Sequence, residues 1–115
     1  MTITDKPLVT IQEASAWGIQ FVLTDAAGDA EVPTVCKWAL HDEASAVKLD
    51  NGTMSLASTF TVPLTKTHNT LQSTSKQQET RILTLYLEYA DTTDTLVVVT
   101  RYKVKKTKYL ADAIA

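Results

Sequence analysis

The sequence predicts an all-β protein: an antiparallel sandwich of two sheets and about seven strands, with extended N- and C-terminal segments. Three observations predict it. Apolar and polar residues alternate with a period of two through most of the chain between positions 17 and 104. Gly, Asn, Asp and Pro recur between the alternating runs, as turns require. No segment carries the apolar spacing of a convincing amphipathic helix. At 115 residues the chain makes one domain with one modest core. The division read from the sequence is an N-terminal arm and first strand over 1–16, the sandwich over 17–105, and a C-terminal tail over 106–115.

Each element follows from its residues. Trp17, Ile19, Phe21 and Leu23 alternate with Gly18, Gln20, Val22 and Thr24, so one face of this strand is apolar. Asp25 to Asp29 carries turn chemistry, because Gly28 can take a positive φ and Asp25 can bond its own backbone. In Thr34 to Asp42, Cys36, Trp38 and Leu40 share one face and Val35, Lys37 and Ala39 the other. The chain turns after His41-Asp42-Glu43. Ala46 to Leu49 reads as a short strand, Asp50-Asn51-Gly52 as a tight hairpin turn, and Thr53 to Leu56 as the return. Phe60, Val62 and Leu64 alternate, with Pro63 marking an edge or an outward position. Thr65 to Thr80 is polar, with Leu71 its only large apolar residue, and reads as a mobile loop with at most one helical turn. Arg81 to Tyr89 is a strand with Leu83, Leu85, Leu87 and Tyr89 on one face. Asp91 to Asp94 is a turn, and Leu96 to Val104 is the last long strand, rich in β-branched residues.

Alternation that leaves each sheet one wet face implies two sheets stacked on their dry faces. Trp38 is then the expected centre of the core, as a buried tryptophan is in immunoglobulin-like sandwiches, here without the disulfide it usually packs on. Cys36, the single cysteine, reads as a small hydrophobe beside it. A reactive thiolate would need a neighbouring base or a helix N-terminus.

The composition narrows the function classes. A net charge of −2 gives no global field for nucleic acid. One cysteine allows no internal disulfide and fits a reducing compartment. The first residues lack a basic segment followed by an apolar run, and the apolar run Leu96 to Val99 is too short to cross a membrane. The expectation is a protein made in a cytoplasm and soluble there.

No motif spells out a chemistry. His41, Asp42 and Glu43 offer one imidazole and two carboxylates, but adjacent strand residues point to opposite faces, and zinc needs three or four converging ligands. They read as a solvated turn. His68 has no partner that the sequence names. A G-x-S-x-G elbow is missing, and three glycines are too few for a phosphate-cradling loop. Asp25/Asp29 and Asp91/Asp94 lack the oxygen-ligand density of a calcium loop and read as turn formers. No catalytic, metal-binding or cofactor-binding residue is therefore assigned.

Basic residues crowd the C-terminal end. Arg101, Lys103 and Lys105 lie on one strand face, opposite Tyr102 and Val104, so no aromatic interleaves with them for base stacking. They read as an outward edge that resists strand-to-strand aggregation, with an acidic protein surface as the next candidate partner. Lys106, Lys108, Tyr109, Leu110 and Ile114 follow, with little local core to join, and the first seven residues look similarly loose. Either the tail orders against a larger surface or it covers one end of its own sandwich.

Two strands carry a resemblance. Cys36-Lys37-Trp38-Ala39-Leu40-His41-Asp42 is similar to a "V-x-W-x-L-x-D" strand that follows a Pro-Thr or Pro-Ser turn, with Cys36 standing where valine is usual. Arg81 to Tyr89 is similar to a later "R-x-L-T-x-x-x-x-Y" strand. Both patterns belong to a group of small tailed-bacteriophage proteins with an Ig-like β-sandwich, encoded among virion structural genes. The likeness covers roughly residues 18 to 105. It implies a non-enzymatic virion protein, most simply a multi-copy capsid decoration or cement protein docking on the major capsid protein through its termini and a sheet edge. A head–tail connector or tail component is the alternative within that group. A free-standing adhesin or carbohydrate-binding module is the alternative outside it, for which Trp17 and Tyr86 are the candidate exposed aromatics.

Overall fold

In the computed structural model, which describes residues 2–4, 10–25, 27–72, 77–89, 95–108 and 110–114, the predicted alternation becomes two stacked sheets. The strands are β1 (Thr2–Thr4), β2 (Thr10–Gln12), β3 (Trp17–Thr24), β4 (Val35–Asp42), β5 (Lys48–Thr53), β6 (Thr59–Leu64), β7 (Gln78–Glu88) and β8 (Thr95–Lys105), followed by a short helix α1 (Leu110–Ile114). One sheet has the order β1-β3-β6 and the other β2-β8-β7-β4-β5. This is the Ig-like arrangement: an antiparallel β7–β8 pair flanked by β4 faces a sheet built on β3 and β6. Five ladders are antiparallel; β2 alone pairs parallel, with Thr10 opposite Lys103 and Gln12 opposite Lys105.

The core is the sum of the inward faces. Ile19, Phe21 and Leu23 of β3 and Phe60, Val62 and Leu64 of β6 meet Cys36, Trp38 and Leu40 of β4, Leu83, Leu85 and Leu87 of β7, and Tyr102 and Val104 of β8. Phe21 stacks on Phe60 with ring centroids 5.6 Å apart. Cys36 is fully buried, and burial pushes its thiol up to about 11, so it is a packing residue and not a nucleophile. Gly28 takes φ 87°, and Asp25 Oδ1 accepts hydrogen bonds from the Ala27 and Asp29 amides, which makes the expected turn.

Three sequence expectations give way. Asn51-Gly52 is not a hairpin turn but lies within β5, where Asn51 pairs Ala39 and Gly52 pairs Trp38. The glycine serves the tryptophan: a Cβ at position 52 would sit 2.9 Å from the indole Nε1. The reversal comes earlier, where the Ser45 amide and hydroxyl both donate to Asp42 Oδ2 and Ala46 takes φ 58°. Of the first seven residues, read as loose, Thr2–Thr4 instead pairs with β3, while residues 1 and 5–7 lie outside the described residues; Thr10–Gln12 pairs with β8. One chain segment thus contributes a short strand to each sheet. Finally, β7 begins at Gln78, and residues 65–72 of the polar segment are anchored, as described next; residues 73–76 lie outside the described residues.

Candidate functional site

Where β3 starts and β4 and β8 finish, the sandwich is closed by a polar hub on the fully buried Arg81. Position 81 points inward because Arg81 shares the core-facing parity of Leu83 and Leu85 on β7. Its Nη1 lies 2.7 Å from Asp42 Oδ1 and 2.9 Å from Glu79 Oε1, and both carboxylates are buried. Its Nε donates to the His68 carbonyl at 3.1 Å and its Nη2 to the Thr70 carbonyl at 2.9 Å. One planar guanidinium therefore ties β4, β7 and the segment 65–72 together.

That segment is the first part of Thr65 to Thr80, the stretch expected to be mobile. His68 and Asn69 are instead buried in it. Asn69 accepts from the Tyr102 hydroxyl at 2.7 Å and donates through Nδ2 to the Ser15 carbonyl at 2.6 Å. His68 Nδ1 accepts the Thr65 amide at 3.0 Å, so Nε2 carries the hydrogen and donates to Asp50 Oδ2 at 2.7 Å. That bond holds the Asp50 carboxyl below its ordinary value. The segment looked mobile because its residues are polar; it is ordered because their polar groups find buried partners. Asp42 corrects the solvated-turn reading of His41-Asp42-Glu43 for the same reason, while Glu43 stays exposed and pairs Arg101 at 3.0 Å. Among the described residues no group of three His, Cys, Asp or Glu could hold a metal ion.

The predicted partner-binding residues separate into two places. Arg101, Lys103 and Lys105 project from the outer face of β8, opposite the buried Tyr102 and Val104. Lys106, Lys108, Leu110 and Ile114 gather beyond the end of the strand, where with Glu13, Thr70 and Leu71 they line a groove of about 370 Å³. The base of the tail is tied to its own domain. The Thr107 amide donates to Glu13 Oε1, its hydroxyl to Gln12 Oε1, and the Lys106 amide to the Gln77 carbonyl. Leu110 is half-buried, whereas Ile114 is 69 % exposed. Tyr109 lies outside the described residues, as does the Asp91/Asp94 turn. Trp17 packs edge-on against Tyr102 at 5.3 Å, as its parity with Ile19 predicts, and is not a projecting aromatic.

Sequence reasoning missed a second surface. On the outward side of the five-stranded sheet, Thr84, Ala39 and Asn51 form a row of short side chains across β7, β4 and β5. Longer residues stand on both sides of the row, and a hollow of about 410 Å³ opens between Lys37, Tyr86 and Lys48. The signal was present in the outward half of each alternating run, but only pairing register aligns those residues into a row.

No family model and no curated protein matches this chain.

Proposed function

We propose that this chain is a non-enzymatic structural protein of a bacteriophage virion, a capsid decoration or cement protein that attaches to capsid subunits in many copies. The observation that carries the reading is the meeting of the two resembling stretches. Cys36 to Asp42 and Arg81 to Glu88 are hydrogen-bonded neighbours in register, from Cys36 opposite Leu87 to Asp42 opposite Arg81. The aspartate that ends the first pattern and the arginine that opens the second form the buried 2.7 Å ion pair. The two patterns are therefore one structural signature, the central strand pair of the sandwich with its ionic lock. A rigid sandwich with a single buried thiol needs no disulfide and suits folding in a reducing host cytoplasm before assembly. The half-tethered tail, with Ile114 exposed beside Lys108, supports attachment through the C-terminal end.

Quantitative mass spectrometry of particles from the phage encoding the chain tests this. Hundreds of copies per particle, scaling with the major capsid protein, is the expected result. A single ring's worth of copies would make it a head–tail connector, and its lack from particles would remove the virion role.

A further inference from the structure

The two outer faces of the sandwich differ in charge. The described outward residues of β3 and β6 in the three-stranded sheet are Gly18, Gln20, Val22, Thr24, Thr59, Thr61 and Pro63, all uncharged. The five-stranded sheet presents Lys37, Lys48, Arg101, Lys103 and Lys105 outward, and among its described outward strand residues only Glu88 is acidic. This cationic face belongs to a chain whose net charge is −2. Arg101 is held by Glu43, but among the described residues Lys37, Lys48, Lys103 and Lys105 form no ion pair.

Between the cations lies apolar surface. Val97 is 57 % and Val99 48 % exposed, next to Tyr86 and Thr84 in the ladder. The Thr84-Ala39-Asn51 row continues from Val99 across the sheet to the hollow flanked by Lys37 and Lys48. An apolar centre with a charged rim is the anatomy of a protein interface. Nucleic acid would use the lysines but leave Val97 and Val99 without a counterpart, because phosphates offer no apolar surface.

We propose that the outer face of the five-stranded sheet is a docking surface for an acidic protein partner. A carboxylate of that partner enters the hollow at Ala39 between Lys37 and Lys48, and apolar side chains cover Val97 and Val99. The inference rests on the virion reading only for the partner's being a capsid component; the surface is argued from its own residues.

The test uses the purified chain. A Glu-rich peptide carrying one leucine is titrated into isotope-labelled protein and followed by NMR, with an oligothymidine of equal charge as the competing probe. Shifts centred on Lys37, Ala39, Lys48, Thr84 and Val99 are expected. Lys37→Glu with Lys48→Glu should weaken peptide binding on the order of tenfold or more, and Ala39→Leu should weaken it by filling the hollow. Val22→Asp on the opposite face should leave binding unchanged. All four positions face outward, and the amide spectrum of each variant reports whether the fold is kept. Shifts confined to Lys106–Ile114, equal binding by the double variant, or tighter binding of oligothymidine at this face would each overturn the proposal. No arm uses particles, so its failure is distinct from failure of the virion role.

Discussion

Tyr89 and Tyr102 are both buried, one near each end of the sandwich, and their hydroxyls meet opposite fates. The Tyr102 hydroxyl donates to Asn69, whose backbone and amide hold Ala14 and Ser15. The Tyr89 hydroxyl has no partner among the described residues. Burial raises the pKa of both phenols, so both stay protonated and differ only in what their hydrogen finds. The Tyr102 hydroxyl joins the polar network around Arg81, His68 and Asn69, whereas the Tyr89 hydroxyl is stranded, as is the indole N–H of Trp17 beside Tyr102. The difference teaches that buried polarity here is satisfied where it locks a connecting segment onto the core, through Asn69 and Arg81, and goes unsatisfied at groups that hold no segment, the Tyr89 hydroxyl and the Trp17 indole N–H among the described residues.

Four substitutions would sharpen or break that contrast. The largest effect belongs to Arg81→Met, which leaves Asp42 and Glu79 buried with their cation gone. It should destabilise the fold by about 3–5 kcal/mol at neutral pH, measured by urea unfolding. Its cost should shrink in acid as those carboxylates take up protons; a pH-independent loss would mean that the hub is mere packing. Tyr102→Phe should cost about 1–2 kcal/mol, because Asn69 Oδ1 loses its donor inside the core. Faster amide exchange at Asn69 would accompany it if this bond anchors the segment.

Tyr89→Phe should go the other way, gaining up to about 1 kcal/mol by removing a desolvated hydroxyl. A clear loss of stability would show that this end, too, is hydrogen-bonded. The smallest effect is expected from Asp50→Asn, about 0.5 kcal/mol, since the Asp50 carboxyl is half exposed and solvent screens its bond to His68. Its folded pKa is lowered, so its contribution is present above its ordinary value of 3.8 and fades as pH falls through the folded value. Acid unfolding of wild type and variant should therefore converge only below about pH 4.

The sequence alone determined the long core strands, though not β1 or β5, because a period of two is a local property that each run carries by itself. Trp17 to Leu23, Cys36 to Leu40, Phe60 to Leu64 and Leu83 to Tyr89 announced their dry faces, and Cys36 beside Trp38 was legible as packing. It did not reveal what Arg81, Asp42, His68 or Gly52 do. Each of these acts on a residue far along the chain: Arg81 on Asp42, His68 on Asp50, Gly52 on Trp38. A polar segment reads the same whether water or a buried guanidinium satisfies it, and Asn-Gly reads as a turn until a tryptophan is found opposite. Only stacking and register decide these matters, since they bring side chains within hydrogen-bond reach that local sequence keeps apart. The cationic face was legible only in part: Arg101, Lys103 and Lys105 share one strand face in the sequence, but only the sheet brought Lys37 and Lys48 to the same side.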